Sequence, residues 1–400
     1  MLTGTKQRLA SFWHYLRLPL RAKKERRKDR HGLPGSDPGA KRAVKAAVDW
    51  LGRAQDCSLS QDGGVARHYS LIDGWSTSYP ETTGYIVPTM VHYSRLSGDE
   101  ACRERARRML NWLVSIQMPE GAFQGGMVGE TPLVPTVFDT GQILLGLVAG
   151  VEEFGDDRYH VAMCRAAEWL VKTQNPNGCW EQQVSPFGLS GPKAYDTHVA
   201  WGLFEAARVE PGRDYAASAL ANVNWALAQQ QDNGWFRRCC LTNHSQPLTH
   251  TLGYALRGML EAYRHTGDAS LLKGAQRTAD GLLEAAGHDG FMPGRLNADW
   301  SGAVEWACLT GTVQIAACWL ILYGEVGDPR YRAAAFAANR YVRRTVRLDG
   351  PPETRGGVKG SFPVDGGYGT YQYLNWACKF LIDANVAEKR LTTTGSAGRD

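Results

Sequence analysis

A glycine followed by an aspartate recurs along the chain, at Gly98-Asp99, Gly155-Asp156, Gly267-Asp268 and Gly327-Asp328. A variant, Gly212-Arg213-Asp214, fills the gap, so the glycines step by 57, 57, 55 and 60 residues. A period of this length is the mark of one supersecondary unit stacked on copies of itself. Glycine suits the left-handed residue that closes a helix, and aspartate suits the N-cap of the next one. Each step therefore reads as one helical hairpin.

The helices on either side of these turns differ in kind. The runs before them, such as GQILLGLVAG and GTVQIAACWLILYG, are almost free of charge and must be buried all round. The runs after them, such as CRERARRMLNWLVSIQ, are amphipathic and basic on one side. The pattern predicts inner helices near 81–95, 139–152, 196–207, 250–264, 310–324 and 371–384. Outer helices are predicted near 41–56, 100–117, 157–174, 214–231, 269–286 and 329–346. Six alternating pairs predict an all-α fold, a closed (α/α)6 toroid over residues 41–386. A basic extension at 1–40, helical then flexible, and a disordered tail at 387–400 complete the expected domain plan.

A glycine and an aromatic follow each outer helix, as in Gly121-Ala122-Phe123, Gly178-Cys179-Trp180, Gly234-Trp235, Gly290-Phe291 and Gly360-Ser361-Phe362. The fullest form, QNPNGCW from Gln174 to Trp180, reads as architecture: glutamine holds free carbonyls, glycine turns, and the aromatic packs on the next hairpin.

The net charge of +5 is concentrated at the start: residues 1–42 hold twelve Lys or Arg against three Asp or Glu, which leaves −4 for the rest. The body thus gives no support to nucleic-acid binding. The extension pairs an amphipathic stretch (Leu9, Phe12, Trp13, Leu16, Leu20) with a basic run, which fits residues 1–30 to an anionic membrane surface or a partner. Nine scattered cysteines and no visible secretory signal fit a cytoplasmic protein, peripheral to the inner membrane if the extension docks there.

Counted back from each turn glycine, one structural position carries Glu81, Asp139, Asp196, His250 and Thr310 in successive hairpins. That position begins each inner helix, so these groups are expected to ring one cleft. Ser78–Glu81 and Thr136–Asp139 also match capping boxes, a purely structural reading, whereas Asp196 and His250 do not. The candidate catalytic groups are Asp139 as general acid/base, Glu81 or Asp196 as its partner, and His250 as a neutral donor or base. Tyr79, Tyr195, His198, Tyr254, Trp75, His68 and Arg295 are the expected substrate-binding groups. No cofactor is expected; a zinc alternative rests on Cys239, Cys240 and His244, whose spacing matches no common zinc motif.

The stretches SYPETTGYIVPTM, AYDTHVAWGLFEAA and PLTHTLGYALRGMLEAY resemble a family of toroid proteins from bacterial exopolysaccharide gene clusters, labelled VpsJ-like or pectate-lyase-like. VFDTGQILLGLV is similar to the helix start that holds the catalytic Asp of unsaturated glucuronyl hydrolases, which implies that role for Asp139. Glu81 matches their second acid, an Asp there. The YP segment resembles glucuronyl C5-epimerases, and GWFRRCC resembles zinc-dependent arabinofuranosidases. QxxxGxW is shared with terpene cyclases, but neither a DxDD nor a DDxxD motif is present. The expected function is that of a carbohydrate-active enzyme (hydrolase, lyase or uronate epimerase) in exopolysaccharide biosynthesis, with an oligo- or polysaccharide, lipid-linked or free, as partner. The alternatives are a cyclase-like toroid and a non-catalytic glycan-binding assembly factor.

Overall fold

A computed structural model describes residues 15–394. Twelve helices alternate around a ring as the repeat predicts. The inner layer is α3 (Pro80–Ser97), α5 (Val137–Phe154), α7 (Thr197–Val209), α9 (Thr249–Thr266), α11 (Leu309–Val326) and α13 (Asn375–Thr394). The outer layer is α2 (Ala40–Asp56), α4 (Glu100–Ile116), α6 (Asp157–Thr173), α8 (Tyr215–Leu227), α10 (Ala269–Ala285) and α12 (Pro329–Thr345). Each inner helix packs on the next, and α13 returns to α3, which closes the ring. Helix α11 is apolar and long enough to cross a membrane by composition, yet 67% of it is buried within the ring.

Short turns join inner to outer helices on one face. Gly98, Gly155, Gly267 and Gly327 sit at φ of 74°, 60°, 72° and 74° and cap the inner helices. The aspartate after each glycine accepts the N–H two residues on, at 2.8–3.1 Å. The Gly212 variant departs from this: α7 ends earlier, at Val209, and Asp214 makes no capping bond.

Long loops join outer to inner helices on the other face, where every inner helix begins. Gln174 Nε2 donates to Gly178 O and Ser218 O, both at 2.9 Å, so it ties its own loop to the next outer helix. Gly178 is at φ +89°, and a Cβ there would lie 2.3 Å from Ala221 O, so only glycine permits this approach. The motif is architectural, as expected. The last copy differs in position: the glycine against the next outer helix is Gly356, whose Cβ would meet Ala46 O at 2.0 Å, not Gly360. Two small antiparallel sheets stitch these loops. One pairs β1 (His68–Ser70) with β2 (Gly74–Trp75) and β5 (Gln372–Leu374), joining the first loop to the last; the other pairs β3 (Ala307–Cys308) with β4 (Ser361–Phe362).

Both ends depart from the expected domain plan. Residues 1–14 and 395–400, with Leu9, Phe12 and Trp13, lie outside the described residues. Within the extension, α1 (Leu20–Arg30) is an ordered helix docked on the ring rather than a flexible run. Its acids explain this: Glu25 and Asp29 are buried against Lys359 Nζ at 2.9 and 2.6 Å. At the other end α13 continues past 386 to Thr394, and Arg343 on α12 pairs with Glu388 on its last turns.

Candidate active site

Glu81 and Asp139 stand in the first turns of neighbouring inner helices, α3 and α5. These helices touch through glycines: a Cβ on Gly146 would lie 2.3 Å from Gly84 O, and one on Gly84 would lie 2.4 Å from Ile143 Cα. The close seam brings two carboxylates from consecutive hairpins into electrostatic contact. Threonines beside them pin the loops, with Thr83 Oγ1 accepting from Val65 N–H and Thr140 Oγ1 accepting from Phe123 N–H, each at 3.0 Å.

The two expected capping boxes are not formed. Neither α3 nor α5 has a side-chain cap bond. Ser78 turns away to Asp62 Oδ1, at 2.6 Å, and to Ser58 Oγ, at 2.7 Å. Glu81 faces the site instead, where its Oε2 accepts the Tyr79 hydroxyl. The backbone N–H groups of Gly126 and of Asp139 itself bear on the Asp139 carboxyl, while its buried Oδ1 has no hydrogen-bond partner among the described residues. Asp196, which matched no box, is the one that folds back: its Oδ2 accepts Lys193 N–H at 3.3 Å. The reversal assigns the carboxylate pair to Glu81 and Asp139 and leaves Asp196 outside it.

Burial dominates the electrostatics of this pair. It raises the Glu81 carboxyl to about 7, against opposing pulls from the Tyr79 hydroxyl and Arg67. Asp139 is held well above the usual carboxylate range, first by burial and then by the charge of Glu81. Near neutrality the pair therefore holds at least one proton, with Asp139 as the better keeper. Asp196 is raised to about 7 by burial alone, with no second carboxylate acting on it.

An aromatic wall encloses the middle of the ring, centred on Tyr254. Its ring lies 4.5 Å from both His198 and His250 and 5.1 Å from Phe138, and its hydroxyl is 3.4 Å from that of Tyr85. Tyr195 stacks edge-on to Phe138 at 5.1 Å. His198 Nδ1 meets Gln142 Oε1 at 2.6 Å, and His250 Nδ1 meets Gln314 Oε1 at 2.7 Å. An amide oxygen only accepts, so each Nδ1 carries the proton and each Nε2 keeps its lone pair. Burial lowers His250 to about 4 and His198 well below the ordinary histidine value, so both are neutral.

Sequence reasoning missed Arg67. Its guanidinium lies over the rings of Trp376, at 5.0 Å, and Tyr79, at 5.9 Å, and bears on Glu81. Asn375 fixes its segment by donating to Ala66 O at 3.0 Å and Thr82 Oγ1 at 2.8 Å. Its one signal was adjacency to His68. Tyr85 and Phe138 were legible as neighbours of the acid positions, one helical turn or one residue away; Trp376, on the last inner helix, had no such neighbour.

Other candidates stand apart. His68 pairs with Arg67 Nη1 at 3.2 Å and is lowered to about 4, by burial first. Trp75 packs outward on Trp50 and Tyr69, at 5.4 and 5.1 Å. Arg295 braces a loop by donating to Gln246 O at 2.6 Å. Cys239 and Cys240 point to different partners, Thr251 O and Thr242 Oγ1, so the zinc alternative is not gathered. The ligand set that does converge among the described residues is His160, Cys164 and Glu210, on the opposite face. A cavity of about 570 Å3 also opens at that opposite end, but the charges on it are already paired, Lys379 with Asp383 at 2.7 Å and Arg208 with Glu152 at 2.5 Å. The dyad, not this cavity, carries the unsatisfied chemistry.

Fold and site together define an all-α toroid with a buried carboxylate pair at the mouth of its inner ring. A family model described as the squalene-hopene cyclase C-terminal domain matches residues 64–262. No curated protein matches the sequence. Among solved structures, an unsaturated glucuronyl hydrolase specific for heparin superposes with a TM-score of 0.72 at 17% identity, covering 88% of this chain and 98% of that one. The unsaturated glucuronyl hydrolase of Bacillus sp. GL1 gives 0.71 at 16%, with 88% and 98% covered. The cellobiose 2-epimerase of Bacillus thermoamylovorans gives 0.69 at 11%, again with 88% and 98% covered. At these identities the likeness is one of fold: the six-hairpin toroid of glycosidase-like proteins.

Proposed function

We propose that the chain is a carbohydrate-active enzyme that hydrolyses an acidic, uronate-bearing saccharide at the Glu81–Asp139 pair. The observation that carries the reading is the buried dyad, in which Asp139 keeps an unpartnered oxygen and its proton while Glu81 titrates near neutrality. Two carboxyl groups held apart in pKa are what general acid and general base catalysis on a glycosidic oxygen need. Asp139 donates its proton to the leaving oxygen, and ionised Glu81, oriented by the Tyr79 hydroxyl, takes a proton from the attacking water. Arg67, braced on Trp376, pairs with the sugar carboxylate. The aromatic wall offers flat apolar faces to sugar rings. The glucuronyl hydrolases and the epimerase among the neighbours act on saccharides by name, which supports the substrate class. The resemblance to exopolysaccharide-cluster proteins supports a polymer precursor, lipid-linked or free, as the setting.

A second reading has its own support. The match to a cyclase domain and the aromatic wall also suit protonation of an alkene by Asp139. Mass spectrometry separates the readings after incubation with uronate-terminated oligosaccharides, neutral oligosaccharides and a linear isoprenoid. Hydrolysis of the acidic sugars adds the mass of one water; cyclisation keeps the mass and shifts the retention time. If only the isoprenoid reacts, the saccharide reading falls. If nothing reacts while saccharides bind, the chain is a non-catalytic glycan carrier.

A further inference from the structure

The first helix of the described chain sorts its charges by side. On its inner face α1 buries Ala22, Glu25 and Asp29. Both acids bond Lys359 Nζ, and Asp29 Oδ2 also accepts Val364 N–H at 2.8 Å. Arg26 and Arg30 are held by Asp365 at 2.6 and 2.7 Å, and Arg21 donates to Leu71 O and Ile72 O at 2.7 and 2.9 Å. The outer face is left with Leu20, Lys24, Arg27, Lys28 and His31, all exposed and spaced as one helical stripe. No acid stands on it. At the start of the stripe Leu20 is 74% exposed, and just before it Leu16 is 46% exposed, beside exposed Arg17.

We infer that this face docks the protein on an anionic lipid bilayer. Bases alone would fit any polyanion, and each contributes about 1 kcal/mol next to an anionic leaflet. The two exposed leucines decide between occupants: they gain nothing on a nucleic-acid backbone but gain area between lipid headgroups. The seat of the helix gives the contact a direction. It lies on the loops that carry Tyr69 and Tyr368, which belong to the face where the inner helices begin. Docking there turns the ring's mouth, with Glu81 and Asp139, toward the membrane. That consequence fits a saccharide on a lipid carrier and rests on the saccharide reading; the docking itself does not.

Co-sedimentation of the full chain tests the docking. Vesicles of phosphatidylcholine mixed with phosphatidylglycerol should bind it, and vesicles of phosphatidylcholine alone should not. Raising the salt should weaken the binding. Joint substitution of Lys24→Ala, Arg27→Ala and Lys28→Ala should weaken it roughly a hundredfold, about fivefold per base. Lys24 and Arg27 face solvent, while the Lys28 charge also bears on buried Glu25; the pair Lys24→Ala with Arg27→Ala should therefore weaken binding with an unchanged melting temperature and exclude a folding defect. Leu16→Ala with Leu20→Ala should weaken binding while leaving its salt slope unchanged. Equal binding to neutral vesicles, no effect of the triple substitution, or binding to DNA or a soluble acidic polysaccharide with none to vesicles would each overturn the inference. Vesicle binding without sugar turnover would refute the saccharide reading and leave the docking standing.

Discussion

Glu81→Gln should make the protein more stable above neutrality and indistinguishable from wild type in acid. Burial raises Glu81 from 4.5 to about 7. Below about pH 4.5 the folded and unfolded chains both hold its proton, and the group has no bearing on stability. Between 4.5 and 7 the unfolded chain releases the proton while the folded chain keeps it, so stability falls as pH rises. The loss accrues at about 1.36 kcal/mol per pH unit and levels off near 3 kcal/mol above neutrality. Gln is neutral throughout and still accepts the Tyr79 hydroxyl, so the variant escapes this loss. Urea denaturation near pH 4 should give matching midpoints. Near pH 8 the variant should lead by about 3 kcal/mol. A gain of the same size at both pH values, or a loss at the higher one, would refute the claim that the carboxyl is desolvated in the fold.

Three further outcomes follow from the geometry. Gly146→Ala would drive a methyl into Gly84 O and should cost about 1–3 kcal/mol in the same denaturation assay. Lys359→Met would strand two buried acids, a change that typically costs about 3–5 kcal/mol, unless α1 lifts off. Limited proteolysis should then cut within residues 31–39 faster than it does in the wild type. Nuclear magnetic resonance titration should find His68 and His250 neutral until about pH 4, because burial lowers both. A transition near 6.5 would show them solvated.

The ring was legible because its signals are local and repeated. A left-handed glycine and an N-cap aspartate need only their own turn, and four of the five turns match the reading atom for atom. The catalytic corner was half legible. The alignment to the turn glycines found Glu81 and Asp139, but the capping-box pattern pointed to the wrong role. Whether Ser78 bonds its own helix or Asp62, sixteen residues upstream, depends on a loop path that local spacing does not encode. Arg67 was invisible for the same reason: what makes it a site residue is Trp376, from the far end of the chain, brought over by ring closure. Gly356 escaped because Gly357 and Val358 follow it instead of an aromatic, whereas Gly360, further along the same loop, matches the pattern. The docked α1 escaped because its anchor, Lys359, lies on that same loop.

The central claim is that Glu81 and Asp139 act as one catalytic pair. The direct measurement is the rate of water addition to a uronate-terminated oligosaccharide by wild type, Asp139→Asn and Glu81→Gln, each shown to be folded. The pair predicts a fall of roughly a hundredfold to ten-thousandfold in either variant. It also predicts a wild-type rate that rises as pH passes about 7, where Glu81 ionises while Asp139 keeps its proton. Turnover by Asp139→Asn at the wild-type rate would contradict it.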